Sequence, residues 1–376
     1  MAKPTSTRAE IRRAICRILN MKFFKSFESY STCSSGSSTV SKAVDTCLTQ
    51  QDDEWMNMWM YIASDSNSTG NIGAVRRITS FDAAGDALYP EYDFPAALTS
   101  ATQYEIHNIF STFEIHQAIN QAIQEAFPAF FDVITDESIV IKEDTVDYSL
   151  TGMTYKPWII SSVWIEQPND SLTGTATAGA VASLTDSAAD FSDVTSDWKI
   201  SIYDGTGAGQ LRSVSSVTGT TVIVPSVNFT TAPDSTSKYR VWNPLDQSQK
   251  WYRVFAFHTD SGEYPATLYL TKTYSEVVGA RIRIVYASAP IELTTEASTT
   301  VIPKEYIISR AVEMLAASRV ANSRTDRDKW AVMEQMYRQR AENFRLRNSF
   351  RMPTTIQQET DWGTPSSRLD ENPLDW

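Results

Sequence analysis

Cysteine and histidine are scarce in this chain, with three of each among 376 residues. Cys16, Cys33 and Cys47 all lie in the first 50 residues. An odd number at spacings that match no zinc pattern excludes a disulfide scaffold and points to free thiols in a reducing cytoplasm. His107 and His116, if both were helical, would point to nearly opposite faces, so they are not expected to share a metal, and zinc has no ligand set. Long apolar runs are also missing, which excludes a membrane span. Arg8, Arg12, Arg13 and Arg17 interrupt the apolar periodicity of the N-terminus, which excludes an ordinary secretory signal. The chain reads as soluble. Basic residues are in deficit, 33 Lys+Arg against 45 Asp+Glu, for a net charge of −12. That argues against a general phosphate-binding surface, although an acidic ring could still let DNA pass without adhering.

Catalytic constellations are absent as well. Asp204-Gly205-Thr206-Gly207-Ala208-Gly209 has the glycines of a phosphate cradle, but the spacing differs from a dinucleotide fingerprint and a strand-like run follows where a helix is needed. It is expected to be a tight turn. Asp136-Glu137 and Glu143-Asp144 are adjacent carboxylates, which in a strand point to opposite faces, and nothing nearby supplies a nucleophile. No nucleophile elbow or metalloprotease motif occurs. The expectation is a non-enzyme with no catalytic, cofactor or metal residues.

What the chain does have is aromatics, 10 Trp, 16 Tyr and 16 Phe, and an internal repeat. Aromatics at this density suit small β cores and subunit interfaces, or stacking platforms for carbohydrate. The repeat runs from Trp59 to Ile106 and again from Trp198 to Val241. It pairs Trp59 with Trp198, Asp65 with Asp204, Gly73 with Gly209, Arg76 with Arg212 and Ser80 with Ser216. Further on it pairs Pro90 with Pro225, Phe94 with Phe229, Ser100 with Ser235 and Tyr104 with Tyr239. Length differences fall in loops, as expected of a duplicated module.

Around the repeats the periodicity changes. Thr7-x-x-Glu10 is a capping box, and Ile11, Ile15, Ile18 and Leu19 predict a helix over 6–22 with its arginines on the other face. Ser111-x-x-Glu114 opens a second helix, with Ile115, Ile119, Ile123 and Phe127 on one stripe until Pro128. Strands are expected at 54–63, 73–81, 87–92, 138–142, 147–150, 158–166, 250–258, 266–270 and 281–287. The second module, about 171–244, interrupts this last set as an insertion whose flanks pair back together. Pro303 opens a closing αα-hairpin, with Ile307, Ala311, Met314 and Leu315 on one helix. Thr325 caps the other, which carries Trp330, Met333, Tyr337, Ala341 and Phe344.

The expected fold class is α+β, a helical core with two inserted small antiparallel β-barrel or sandwich modules. Its segments are residues 1–28, a first module at 29–106, core helix and strands at 107–169, a second module at 170–244, core strands at 245–302, a hairpin at 303–351 and an extended tail at 352–376. The hairpin, 303–351, carries 11 Lys+Arg against 6 Asp+Glu, and the tail carries one Arg against five acids. This suits electrostatic pairing between subunits. The tail lacks periodicity yet holds Trp362 and Trp376, which favours docking on a partner.

The second module resembles a β module common in structural proteins of tailed bacteriophages. The residues that carry this are Ala176-Thr-Ala-Gly179, Leu184-Thr-Asp-Ser187, Phe191, Ile200 to Arg212 and Pro233 to Tyr239. The frame of 7–20, 113–131 and the closing hairpin resembles a head-to-tail connector, or adaptor. That resemblance implies a homo-oligomeric ring of about twelve copies below the portal protein, with genomic DNA passing through the middle. It implies a place in the neck of the virion, after assembly in the host cytoplasm, with no membrane partner. The tail would reach the portal through Arg351, Pro353, Ile356, Trp362, Pro365, Leu369, Pro373, Leu374 and Trp376. Arg338, Arg345 and Arg347 would face a neighbouring subunit, and the modules would face tail nozzle, tube or fibre proteins. The alternative expectation is a carbohydrate-binding or fibre-attachment appendage of the tail.

Overall fold

The computed structural model describes residues 5–19, 31–32 (backbone), 38–48, 50–168, 171–245, 250–262, 264–322 and 326–348. Within them the chain is mixed α+β, with four helices and antiparallel sheets. It divides into two compact units at Phe131/Asp132 and Ser288/Ala289. The first division falls inside the 107–169 segment expected to be one piece of core. Its helix belongs with the first module, and its strands belong with the second.

The helices of the first unit form where their ends are satisfied. Helix α1 (Arg8–Ile18) opens on the capping box of Thr7 and Glu10, and α2 (Thr112–Ala126) on that of Ser111 and Glu114. Each box satisfies two otherwise orphaned amides. Helix α3 (Lys304–Asn322) begins just after Pro303, and α4 (Arg327–Asn348) returns antiparallel as the second arm of the hairpin. Ile11 and Ile15 of α1 pack with Ile115, Ile119 and Ile123 of α2 and Ile307 and Ala311 of α3. Trp330, Tyr337 and Ala341 of α4 close the same core, with Met333 and Phe344 against it. Each such Ile stabilises the unit by about 1.5–3 kcal/mol over leaving it in water. The expected cap Thr325 and the expected extension of α1 to residue 22 lie outside the described residues, as does the tail from 349 onward.

One expectation about α1 is overturned. Arg8 and Arg12 do not lie on the face away from the isoleucines; both are buried with Ile11 and Ile15, Arg12 completely. Helical spacing cannot separate a solvated arginine from one that meets a buried carboxylate, and Glu105 is 93 positions away in the chain.

The first module is a six-stranded antiparallel sheet. Its strands are β1 (Ser31–Thr32), β2 (Ala43–Val44), β3 (Trp59–Asp65), β4 (Val75–Asp82), β5 (Ala87–Pro90) and β6 (Thr102–His107), in the order β1-β6-β3-β4-β5-β2. It curls around Met60, Ile62, Ile78, Phe81, Leu88, Phe94 and Tyr104. Tyr104 Oη donates to Asp45 beside the far edge strand at 2.8 Å, tying one side of the sheet to the other.

The second unit is built on a four-stranded sheet of β7 (Asp132–Val140), β9 (Ile159–Gln167), β17 (Lys250–Val254) and β20 (Arg281–Ser288), ordered β17-β9-β20-β7. Strand β9 precedes the second module and pairs with β17 and β20 after it, so the flanks do pair back as expected. One face packs on a small sheet of β8 (Asp147–Ser149), β18 (Phe257–Thr259) and β19 (Thr267–Leu270). The module itself comprises β10 (Leu172–Thr175), β11 (Ala178–Ala180), β12 (Ser183–Thr185), β13 (Lys199–Asp204), β14 (Leu211–Thr218), β15 (Val222–Pro225) and β16 (Lys238–Trp242). Its order, β10-β16-β13-β14-β15-β12-β11, is that of the first module with one strand added at an edge.

The two modules share a hydrogen-bond skeleton. Ladder irregularities recur at Ile62/Ser64 and Ile202/Asp204, and at Ile78/Ser80 and Val214/Ser216. Tyr239 Oη donates to Asp186 at 2.7 Å as Tyr104 does to Asp45. Arg76 and Arg212 donate through Nε to the carbonyls of Asp93 and Asn228. Gly73 and Gly209 donate to the carbonyls of Ile62 and Ile202, at φ +87° and +93°, where a side chain would be strained.

The register corrects two of the expected pairs. Ile62 sits opposite Tyr104, and Ile202 opposite Tyr239, so Met58 corresponds to Trp198, and Ser64 to Asp204. The amides of Ile78 and Val214 bond to the carbonyls of Met58 and Trp198. Trp59 with Trp198 and Asp65 with Asp204 were thus one residue out of step. In a strand, that slip exchanges faces.

Candidate functional site

The most concentrated chemistry of the first unit surrounds Arg12. Its Nε and Nη2 donate to the two oxygens of Glu105 at 3.0 and 2.9 Å, and its Nη1 donates to Glu296 at 2.6 Å and to His116 Nε2 at 3.0 Å. Side chains of Arg12 and Glu105 are fully enclosed. Tyr61 donates to Glu296 at 2.7 Å, and its ring lies 4.9 Å from the guanidinium carbon. Arg8 also reaches Glu296, at 3.1 Å. A fork of N–H donors meeting a carboxylate edge on is the geometry in which a buried charge is best satisfied.

Both histidines reach this cluster. His107 Nε2 lies 3.0 Å from Glu105, and its Nδ1 lies 2.8 Å from the Thr112 hydroxyl. Burial, which disfavours the charged ring, holds His107 below its usual range. A neutral ring donates from Nε2 to the carboxylate and accepts the hydroxyl at Nδ1. His116 Nε2 accepts from Arg12; burial and then the charges of Arg12 and Arg8 push its pKa down to about 3. Burial works against ionisation of Glu105, but the charge of Arg12 and hydrogen bonds from His107 and Arg12 outweigh it and bring its pKa to about 2. The histidines are not both helical: His107 ends β6 and His116 lies in α2. Arg12, Glu105 and Glu296 are all held by protein partners, while the buried Nε of Arg8 has none among the described residues, and the cluster joins the module to the helices. In the sequence, Tyr104-Glu-Ile-His107 reads as an ordinary half-buried strand with polar residues outward, so no local signal marked the cluster.

The second module meets its host sheet through the same face. Strand register makes Tyr61, Glu105 and His107 equivalent to Ser201, Arg240 and Trp242. Ser201 Oγ donates to the Gly279 carbonyl at 2.6 Å, and Trp242 Nε1 to Glu166 at 3.1 Å. Arg281 makes a fork to Glu166 at 2.8 and 2.6 Å and donates to Glu137 at 2.6 Å. Beside this contact is a cleft of 510 Å³ lined by Glu137, Lys199, Leu245, Trp251 and Arg283. Arg283 lies 3.7 Å from the Trp251 ring centre and donates to Glu137 at 2.7 Å, so its charge is already matched.

The other sequence candidates separate. The loop after Asp204 is a turn between β13 and β14; at Gly205, φ is +74° and a Cβ would sit 2.0 Å from the Thr236 carbonyl. Asp204 and Glu143 both pair with Lys238, at 2.9 and 2.6 Å. Asp136 accepts from Ser138, while Glu137 turns to the arginines. His258 stacks on Tyr269. Burial pushes the Cys16 thiol up to about 12. Phe191, Phe229, Tyr239 and Trp242 of the second module are all interior. Among the described residues, no group of three or more His, Cys, Asp or Glu is placed to hold a metal ion, and no helix is long and apolar enough to cross a membrane.

On α4, Arg338 donates to Glu313 at 2.9 Å and also pairs with Glu334, while Arg345 pairs with Glu342 at 2.8 Å. Arg347 is exposed. Arg351, Pro353, Ile356, Trp362, Pro365, Leu369, Pro373, Leu374 and Trp376 lie outside the described residues. No family model, curated protein or solved structure matches the chain.

Proposed function

We propose that this chain is a structural protein of a tailed virus particle, a head-to-tail adaptor that forms a ring below the portal, joins capsid to tail and surrounds the DNA channel. The observation that carries the reading is the way it is built. A helical unit ends in a hairpin with an exposed basic arm, and a duplicated β module is mounted twice through one face. The enclosed pairs Arg12–Glu105 and Arg281–Glu166 are matched within the chain, which is how a structural joint is made, whereas a reaction centre presents polar groups to a ligand. In this reading the modules present their far sides to tail or fibre proteins. The acidic residues 352–376 then carry the contact with the portal, where Trp362 and Trp376 supply apolar anchors.

The test is truncation after Arg351. The shortened chain should fold with an unchanged thermal transition and lose binding to the portal, read by mass photometry of the two proteins mixed. Undiminished portal binding by the truncated chain would remove the tail from this role. A stable trimer of the full chain, with or without portal, would favour a fibre-like protein instead.

A further inference from the structure

Helix α4 carries a second stripe that the core of the described residues does not include. Its inner side packs through Trp330, Tyr337 and Ala341, whereas Val332, Met336 and Leu346 are 68%, 52% and 75% exposed. With the exposed Gln339 and Asn343 they form the series 332, 336, 339, 343, 346. Steps alternating between four and three residues are the spacing of a helix–helix seam, in which polar positions fix register. Met336, Gln339, Asn343, Phe344 and Arg347 also line a shallow groove. From Val332 to Leu346 the helix offers a seam about 20 Å long.

We infer that this seam seats a second copy of the chain, against an acidic part of that copy's surface. The charge distribution selects the occupant. Residues 303–351 carry 11 Lys+Arg against 6 Asp+Glu, whereas residues 1–302 carry 21 against 34. Two seams face to face are disfavoured. Parallel pairing sets Arg338, Arg340, Arg345 and Arg347 against themselves. Antiparallel pairing sets them against a half-helix where Arg327 and Lys329 offset Asp328 and Glu334. The contact therefore joins unlike faces, and such a contact propagates from copy to copy until it closes a ring. Arg338 and Arg345 are engaged within their own subunit. Arg340 and Arg347, flanking the seam, are the charges directed to the neighbour. The inference rests on the adaptor reading for its expectation of a closed ring.

The full-length chain is tested with a photo-crosslinking residue at Met336, at Asn343 or, as a control, at Val227 of the second module, which is 65% exposed. At high protein concentration and low salt, positions 336 and 343 should give covalent dimers and the control should not. The crosslinks should map to an acidic peptide of the other copy, and 0.5 M salt should reduce them. Met336→Glu with Leu346→Glu should weaken self-association about 100-fold at an unchanged thermal transition. Crosslinks confined to one chain, including its residues 352–376, would overturn the inference. So would crosslinks between two α4 seams, dimers no more frequent than the control, or a chain that stays monomeric. Portal binding by the truncated chain is read separately, so either idea can fail while the other stands.

Discussion

Tyr61, Glu105 and His107 of the first module occupy the positions that Ser201, Arg240 and Trp242 hold in the second. Beneath them the interiors agree, with an Asp–Tyr bond closing the sheet in each and irregularities at the same rungs. Above them the chemistry diverges. The first module brings a carboxylate to an arginine supplied by its host. The second brings an indole N–H to Glu166, while its host supplies both members of the ion pair. Interior and mounting face are therefore separable: the interior closes the module, and the outer face of two strands is fitted to the surface that receives it.

If that is correct, the first mount depends on charge balance far more than the second. Arg12→Met keeps volume and apolar stem but strands Glu105, with Glu296 also losing a partner. Breaking a buried pair this way costs about 3–5 kcal/mol. Denaturant unfolding of the first unit should show a loss of that size, and Arg12→Lys should recover only part of it, because an ammonium cannot fork to two carboxylates. A loss below about 1 kcal/mol would mean that the cluster is solvated and the comparison fails.

Acid should separate the mounts next. Glu105 titrates at about 2 in the folded unit, below an ordinary carboxylate, so its contribution is complete above the unfolded value and is lost as pH falls toward 2. His107 and His116 are held neutral, with lowered pKa values, so the unfolded chain takes up their protons first as pH drops below about 6.5. Both effects have the same sign. Between pH 7 and 4 the transition of the first unit should fall by the equivalent of about 4 kcal/mol from His116 and Glu105, and further through His107. His116→Gln should flatten the upper part of that slope. Ser201, Arg240 and Trp242 include no carboxylate or imidazole, so the second mount adds no such term through these positions. A melting temperature of the first unit independent of pH over this range would contradict the assignment.

Much of this architecture was legible in the chain because its signals are local. Capping boxes at Thr7 and Ser111, the stop at Pro128 and the start at Pro303 each act within one helical turn. The return of β17 and β20 to β9 followed from reading the second module as an insertion. The mounting faces were not legible, because they are set by partners far apart in sequence. Arg12 on a helix of alternating arginines looks like a solvated charge until Glu105 is placed beside it. The one-residue slip at Trp59 and Trp198 arose from matching the most conspicuous side chain. In the strands, Met58 and Trp198 share a core-facing position, and the carbonyl pairing fixes this where residue type does not.

The smallest effect is the most discriminating. Arg240 is buried at the position of Glu105, yet its Nε has no hydrogen-bond partner among the described residues. Burial lowers its pKa, which marks a charge held at a cost rather than matched by a fork like that on Arg12. Arg240→Met keeps the stem that packs by Gly279 and removes an unsatisfied donor. Stability should therefore stay within about 0.5 kcal/mol of the parent or rise slightly, since apolar replacement of a poorly paired buried charge is often neutral or better. A loss above about 2 kcal/mol in the second unit would show that Arg240 is held by its surroundings as firmly as Glu105 is. The two mounts would then be variants of one electrostatic design, and the distinction between a charge matched across the joint and an ion pair supplied by the host alone would not survive.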